Sequence, residues 1–373
     1  MNPIPVNIPK FDGNEKKYLN EAIESGWISS EGPFVNKFEK QFALKHGRKH
    51  AIAVSSGTAA LYCCVDALDL SPGDEVIIPS FTIVSCVNPV IESGATPVLV
   101  DCDLQTFNST PEQIISAITP KTKAIIMVHI YGLPVDADPI LKIAKERGIK
   151  VIEDAAEVIG LEYKNRLCGS LGDLSTFSFY PNKHITTGEG GMVLTDDDYL
   201  AERCKSSRNL CFNESKRFYH ERIGWNFRMT NLQAAIGLAQ LENLDISVAK
   251  KRWVGQRYDE SLADCSLIQL PVPKTSYAKN IYWIYPIVLK DCCPLDVKQI
   301  TDKLKLLKIG TRPFFYPMNK QPVFNKMGLF INDSHRNSEH LAENGFYIPA
   351  GLGITEKQIN IVANSLIKIV QNQ

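Results

Sequence analysis

Apolar residues along the chain alternate between short continuous runs and segments with helical spacing. Five runs predict strands at 50–54, 74–79, 96–101, 122–130 and 150–154, and helical segments separate them. The run at 122–130 is almost entirely apolar, as expected of a strand that is covered on both faces. This alternation predicts an α/β fold whose mostly parallel sheet carries helices on both faces.

The pattern changes in the second half of the chain. An apolar stripe over 230–263 predicts one long helix that bridges two domains. Beyond it, a strand at 282–289, helices at 297–307 and 357–370 and a strand or loop at 311–317 predict a smaller α+β domain. We therefore expect an N-terminal segment that packs near the active site, a large domain and a small C-terminal domain, at residues 1–30, 31–245 and 246–373.

One lysine lies on a loop between two further predicted strands, at 174–180 and 192–195. A lysine held at the rim of a sheet is partly desolvated, which lowers its pKa and makes its amine a nucleophile for a carbonyl carbon. Lys183 is therefore a candidate for Schiff-base chemistry. A surface lysine in a hairpin loop fits the same pattern.

Other polar residues also follow predicted strand ends, where ligands bind in α/β folds. Asp154 and Glu157 are two acids that could keep a cofactor nitrogen protonated, although a solvated loop has the same composition. Ser56, Gly57 and Thr58 begin a helix, where backbone N–H groups suit a phosphate. The same residues are also common helix caps.

Composition narrows the function classes. The 373 residues are 44% hydrophobic, enough for a full core, and 41 basic residues balance 41 acidic ones without a dense run of either. Nucleic acid is therefore an unexpected partner. No segment has a signal-peptide pattern or the roughly 20 apolar residues of a membrane span, so we expect no membrane contact and a cytoplasmic location. Ten cysteines without metal-ligand spacing predict reduced thiols and no metal site.

Several separated motifs occur together in one order. They are Ser56-Gly-Thr58, Glu153-Asp-Ala-Ala-Glu157, Ser175-Thr-Phe-Ser-Phe179, Lys183 with Thr186-Thr-Gly-Glu-Gly-Gly191, and Asn226-Phe-Arg-Met-Thr230. In this set the chain resembles the DegT/DnrJ/EryC1/StrS family of nucleotide-sugar aminotransferases, which depend on pyridoxal 5′-phosphate (PLP). The resemblance implies the aspartate aminotransferase-like fold (PLP fold type I), with a mostly parallel seven-stranded sheet in the large, cofactor-binding domain.

The resemblance also implies site residues. Lys183 would bind the cofactor covalently, and Asp154 would face its pyridine nitrogen. The remaining cofactor contacts would be Ser56, Gly57, Thr58, Ile83, Glu157, Ser178 and Asn226. Asn226 would come from the partner subunit, which implies a homodimer with shared active sites. Ile83 departs from the pattern, because relatives often have an aromatic ring there; isoleucine gives apolar contact without stacking.

The implied reaction moves an amino group from L-glutamate to a sugar ketone on a nucleotide. The loop after Lys183 resembles that of enzymes acting on C-4 of 4-keto-6-deoxy sugars, and the GDP-perosamine synthase subgroup is the most similar. GDP-4-keto-6-deoxy-D-mannose is therefore the expected substrate, and dTDP- or UDP-linked sugars are the alternative. A PLP-dependent sugar dehydratase, in which histidine replaces the lysine, and a non-catalytic family member are two other classes.

The candidate substrate contacts are Trp27, Ser29, His184, His220, Arg312 and Tyr316. Arg312 could pair with a diphosphate, but a surface cation before a proline is an equally good interpretation. A lone histidine such as His184 is more often a structural hydrogen-bonding group, and tryptophans such as Trp27 and Trp283 are more often core residues than surfaces on which a base stacks.

Overall fold

The structure is a computed structural model that describes residues 2–213 and 215–371. Residues 1, 372 and 373, which belong to the two outer predicted segments, and residue 214 lie outside the described residues. Among the described residues, no helix is long and apolar enough to cross a membrane.

A seven-stranded sheet forms the centre of the large domain. Its strands are β1 (His50–Val54), β2 (Glu75–Pro79), β3 (Thr96–Val100), β4 (Thr122–Val128), β5 (Lys150–Asp154), β8 (Leu174–Ser178) and β9 (Gly191–Thr195), and a separate hairpin contains β6 (Glu162–Tyr163) and β7 (Arg166–Leu167). The order across the sheet is β1-β9-β8-β5-β4-β2-β3. Only β9 among these seven strands runs against its neighbours, so the predicted mostly parallel sheet is confirmed.

Helices cover both faces of this sheet. They are α1 (Glu15–Glu24), α2 (Pro33–His46), α3 (Gly57–Ala67), α4 (Asn88–Glu92), α5 (Pro111–Ser116), α6 (Ala137–Arg147), α7 (Asp198–Arg208) and α8 (Asn231–Glu242), with a short 3-10 turn at Val84–Cys86. Alternate residues of β1 point to opposite faces. Ala51 and Ala53 join a core with α2 and α8, whereas Ile52 and Val54 join a second core with α3 and α7.

The C-terminal part has its own core. It contains α9 (Leu244–Leu262), β10 (Ile268–Gln269), β11 (Tyr285–Leu289), α10 (Val297–Leu306), β12 (Arg312–Pro313), α11 (Pro322–Lys326), α12 (Arg336–Asn344), β13 (Gly345–Ile348) and α13 (Glu356–Val370), with a 3-10 turn at Met318–Lys320. The strands form an antiparallel sheet in the order β10-β11-β13-β12. Tyr258 of α9, Tyr285 of β11 and Leu366 of α13 are fully buried in its core. The predicted smaller α+β unit is thus present.

Two predicted elements are wrong in their extent. The helix at 230–263 is two helices, because the backbone at Asn243 (φ −107°, ψ 13°) leaves the helical region and ends α8 where α9 begins. The strand predicted at 282–289 begins only at Tyr285, because Tyr282 has a positive φ of 50° that no regular strand contains. The domain boundaries themselves stay a prediction. The N-terminal segment does reach the lysine loop, where the Asn7 side-chain amide donates to Pro181 O at 2.8 Å.

Candidate active site

A cavity of about 330 Å³ opens at the carboxyl ends of the parallel strands. Its walls come from the segments that follow β1, β2, β4, β5 and β8, and from three residues of the C-terminal part. Eight of the predicted cofactor residues line it: Ser56, Gly57, Thr58, Ile83, Asp154, Glu157, Ser178 and Lys183. The sheet thus brings together side chains that are more than a hundred residues apart in the sequence, because parallel strands end at one rim.

Lys183 and Glu157 lie close together in the buried part of the cavity. Lys183 Nζ lies 3.9 Å from Glu157 Oε1, and each side chain is only 9% exposed. Burial lowers the pKa of the lysine, although Glu157 and Asp154 act against this shift. Burial raises the pKa of Glu157 to about 8, and Lys183 only partly opposes it. The distance is too long for a hydrogen bond, so the two groups do not form a close salt bridge.

Asp154 is held at the end of β5 by contacts to both carboxylate oxygens. Oδ1 accepts the N–H of Ala156 at 3.1 Å, and the buried Cys86 thiol donates to Oδ2 at 3.5 Å. Burial raises the pKa of this carboxyl despite these contacts and despite the charge of Lys183. A buried carboxylate gains from a positive partner, so a protonated ring nitrogen suits this position.

Glu153 directly precedes Asp154 in β5, and its carboxylate holds the loop that leads into β8. It accepts hydrogen bonds from the amides of Gly169, Leu171 and Gly172, from the Ser175 hydroxyl and from His129 Nε2. Burial acts to raise its pKa, but these donors outweigh burial and lower the pKa to about 2.

Three potential metal ligands, His129, Glu153 and Cys168, meet in the described part of the chain. His129 Nδ1 accepts the N–H of Val135, so Nε2 carries the proton that it donates to Glu153. Because neither ring nitrogen has a free lone pair, the cluster is a hydrogen-bonded support of the loop rather than a metal centre.

The start of α3 forms a cradle for an anion. Ser56 Oγ caps the Ala59 N–H at 3.0 Å, and the Ala60 N–H donates to Ser56 O, so the amides of Gly57 and Thr58 remain for a ligand in the described structure. A Cβ added at Gly57 would lie 2.8 Å from Ser178 Cβ. Both interpretations of this motif therefore apply, since Ser56 is a cap and the next two residues line the cavity together with the hydroxyl-bearing Ser178, a set of N–H and O–H donors that suits a phosphate.

Among the cavity residues that were not predicted as site residues, three belong to the C-terminal part. They are Trp283, Phe315 and Tyr347. Lys183 Nζ lies 3.7 Å from the centroid of the Trp283 ring, and the indole N–H donates to Asn182 O at 3.0 Å. Trp283 is 5% exposed, so it is a core residue, as the sequence suggested, and also a wall of the cavity. No local motif marks these positions, because their role comes from contacts between distant segments.

The predicted substrate residues do not line this cavity. His184 is fully buried with Nε2 3.4 Å from Ile281 O, outside the cavity, and its role as a substrate contact stays a prediction. Trp27 is 52% exposed, which contradicts its alternative interpretation as a core residue. Arg312 and Tyr316 are exposed on the segment at 311–317, beside the cavity residue Phe315.

Ser29, His220 and Asn226 are exposed on another part of the surface. Ser29 lines a second cavity of about 490 Å³, together with Arg208, Arg217 and Arg228. Asn226 is bridged to Asn209 through the backbone and lies outside the first cavity of its own chain. The structure therefore places eight of the predicted cofactor residues in one cavity, Asn226 and five of the predicted substrate residues at exposed positions outside it, and His184 in the core.

The lysine lies opposite a buried carboxylate and next to a helix start that can hold a phosphate, at the rim of a mostly parallel sheet. This arrangement defines a PLP-dependent enzyme of the aspartate aminotransferase-like fold. Comparison with known sequences is more specific. The chain belongs to the DegT/DnrJ/EryC1/StrS aminotransferase family, whose sequence model matches residues 9–367. The protein is thus a PLP-dependent transaminase.

Individual relatives are similar over their full length. The chain is 41% identical to the GDP-perosamine synthase of Caulobacter vibrioides, with 98% of each chain covered, and 37% identical to that of Vibrio cholerae, with 97% and 98% covered. Among solved structures, the Helicobacter pylori aminotransferase PseC, involved in pseudoaminic acid biosynthesis, is 26% identical with a TM-score of 0.93 over all of both chains. A mutant GDP-4-keto-6-deoxymannose-3-dehydratase with bound GDP-perosamine is 25% identical with a TM-score of 0.88, covering 97% of this chain and 100% of that one.

Proposed function

We propose that this enzyme transfers the amino group of L-glutamate to C-4 of GDP-4-keto-6-deoxy-D-mannose and forms GDP-perosamine. The observation that carries this proposal is the full-length similarity to GDP-perosamine synthases from two organisms, at 41% and 37% identity. A lysine at position 183, next to the other cofactor residues, supports a transaminase within this group.

Each cofactor residue has a role that its surroundings support. PLP supplies an electron sink for the bonds that break at the amino carbon. Asp154 favours a protonated ring nitrogen, and the start of α3 with Ser178 holds the phosphate. Lys183 would hold the cofactor covalently, and its Nζ would accept a proton and return it. Ile83 gives apolar contact without stacking on the cofactor face, and the ring of Trp283 shields the lysine from water.

The proposal includes a homodimer with shared sites. Asn226 is exposed outside its own chain's cofactor cavity, as expected of a residue that serves the partner subunit. Exposed apolar side chains on the same part of the chain, such as Phe218 (81%) and Ile223 (83%), suit a surface that a second copy covers. Ser29, Trp27 and His220 would then contribute to the partner's substrate site.

A cytoplasmic location completes the proposal. It rests on the ten cysteines, all within the described residues and all without a disulfide.

A second candidate is dehydration of the same sugar nucleotide. The dehydratase that resembles this chain has a TM-score of 0.88, so the fold suits either reaction. The resemblance that implies the dehydratase also implies histidine at the lysine position, and this chain has Lys183 there. For transamination itself, dTDP- or UDP-linked 4-keto-6-deoxy sugars are the alternative substrates.

The test begins with the purified enzyme and its cofactor absorbance. L-glutamate should bleach the band of the wild type, whereas Lys183→Ala should lose the lysine-bound band and turnover. Lys40→Ala, at an exposed position on α2, is the matched control and should behave as the wild type. Turnover by Lys183→Ala at the wild-type rate would reject the role of this lysine.

The substrate is then identified by offering GDP-, dTDP- and UDP-linked 4-keto-6-deoxy sugars with glutamate. NMR of the product reads the aminated carbon. Amination at C-4 of the GDP-linked sugar supports the proposal. Preference for another nucleotide, a product aminated at C-3, or a deoxygenated product without nitrogen would contradict it.

A further inference from the structure

Tyr131 lies in a left-handed turn directly after β4. Its φ of 54° is uncommon for a bulky residue and costs conformational energy. The surrounding structure holds the turn on both sides, because the Ile130 N–H donates to Asn108 Oδ1 and the Leu133 N–H donates to Ile130 O. Strained backbone that is held in this way is found most often at functional sites.

The backbone and the side chain of Tyr131 contact different walls of the active-site cavity. The backbone N–H donates to Glu157 Oε2 at 2.8 Å, and Glu157 faces Lys183. The hydroxyl oxygen accepts the N–H of Phe315 at 3.2 Å. One residue therefore joins the cofactor side of the cavity to the segment at 311–317 in the C-terminal part.

The aromatic ring and the next residue strengthen this connection. The Tyr131 ring is 2% exposed, and its centroid lies 5.0 Å from that of Phe314, 5.4 Å from that of Phe315 and 5.9 Å from that of Trp283. Gly132 O accepts the Ile281 N–H at 3.0 Å, and a Cβ added at this glycine would lie 2.7 Å from Trp283 N. The turn is thus packed against two of the three C-terminal segments that reach the cavity, those of Trp283 and Phe315.

We propose that Tyr131 is a positioning residue whose hydroxyl holds the segment at 311–317 against the cavity for the nucleotide-sugar substrate. Arg312 and Tyr316, on either side of Phe315 in this segment, are exposed and can meet a diphosphate or a sugar. The hydrogen bond to Glu157 uses the backbone, so it is independent of the hydroxyl. The inference rests on the proposed function for the identity of the substrate, but the hydrogen bond can be tested without it.

Tyr131→Phe separates the two contacts, because it removes the hydroxyl and keeps the ring and the backbone N–H. The KM for the GDP-linked ketosugar should rise about tenfold, since a buried N–H loses its acceptor and the segment loosens. The rate at which L-glutamate bleaches the cofactor band should change less than about twofold, because Glu157 keeps its partner. An unchanged KM, or an equal loss in both half-reactions, would overturn the proposal.

Hydrogen exchange of the holoenzyme provides a readout that needs no sugar substrate. In Tyr131→Phe the Phe315 amide should exchange about tenfold faster, and the amides around Glu157 should keep their rates. Unchanged exchange at Phe315 would refute the hydroxyl contact. If the wild type accepts no GDP-linked ketosugar, the proposed function fails. The exchange result then still decides whether the Tyr131 hydroxyl holds the segment at 311–317.

Tyr258→Phe is the matched control. Tyr258 is fully buried, and its hydroxyl donates to Pro349 O at 2.7 Å in the core of the C-terminal part, away from the cavity. The Tyr258→Phe substitution should lower the free energy of unfolding without changing the KM for the ketosugar or the exchange rate of the Phe315 amide. A rise of the KM in this control equal to that in Tyr131→Phe would show a general loss of stability, against the proposal.

Discussion

Glu157→Gln tests whether the acid beside Lys183 is protonated at neutral pH. Its pKa is raised by burial from 4.5 to about 8, although Lys183 Nζ lies 3.9 Å away. Glutamine keeps the size of the side chain and a carbonyl oxygen that can accept the Tyr131 N–H, but it cannot ionise. The substitution therefore removes the titration and leaves the packing.

The sign of the effect follows from proton linkage. Between pH 6 and pH 8 the folded protein keeps a proton on Glu157 that the unfolded chain has lost, so this group makes the protein less stable as the pH rises. Each pH unit lowers the free energy of unfolding by about 1.4 kcal/mol while Glu157 stays protonated in the folded protein. Because half of the group is ionised at pH 8, the total loss between pH 6 and pH 8 is about 2 kcal/mol. The lowered pKa of Lys183 acts in the opposite direction, because the unfolded chain takes up a proton there.

The comparison of two proteins isolates Glu157, because Lys183 is present in both. Urea unfolding of cofactor-free wild type and Glu157→Gln at pH 6, 7 and 8 should show the variant gaining about 2 kcal/mol relative to the wild type across this range. Glu24→Gln, at an exposed position of α1, should give a constant difference. If the variant gains no stability relative to the wild type between pH 6 and pH 8, Glu157 is already ionised at pH 6, as one half of a true salt bridge.

Two further predictions concern the cofactor cradle and the buried lysine of α9. Gly57→Ala places a Cβ 2.8 Å from Ser178 Cβ, so cofactor affinity, titrated by absorbance, should fall at least about tenfold while circular dichroism stays unchanged. Lys251 Nζ donates to Trp283 O and Ala350 O, and burial, with a smaller effect from Lys183, lowers its pKa to about 7. The unfolded chain binds a proton there up to about pH 10, so the free energy of unfolding should rise by about 2 kcal/mol from pH 7 to pH 9 because of this group. Urea unfolding of Lys251→Met should lack this rise.

The cofactor side of the cavity could be predicted from the sequence for a physical reason. Asp154 and Lys183 follow β5 and β8, which are parallel neighbours in the sheet. The hydrophobic pattern locates the ends of such strands, and parallel strands end on one side. The motif at the start of α3 likewise predicts an anion site, because the first turn of a helix has backbone N–H groups without a partner in the helix.

The remaining features depend on contacts that no local pattern contains. Nothing in the apolar stripe over 230–263 distinguishes one helix from two, because Asn243 interrupts the backbone without a proline or glycine. Strand β13 has four residues directly after α12, too few for a clear alternation. The position of His184 directly after the lysine predicts a substrate contact, but the local sequence does not show that this side chain is fully buried near Ile281 O.

The two sides of the cavity therefore differ in how freely they can change. The cofactor side is built from strand ends, and its acids are fixed by backbone amides such as that of Ala156 on Asp154. The opposite side consists of Trp283, Phe315 and Tyr347, which lie on separate segments of the C-terminal part and reach the cavity through contacts such as that of Tyr131. Substitutions on that side can alter the space for the sugar nucleotide without moving Lys183 or Asp154. One set of cofactor residues can thus serve relatives with different substrates, and for this reason the cofactor motifs establish the reaction class whereas the nucleotide and the sugar must be measured.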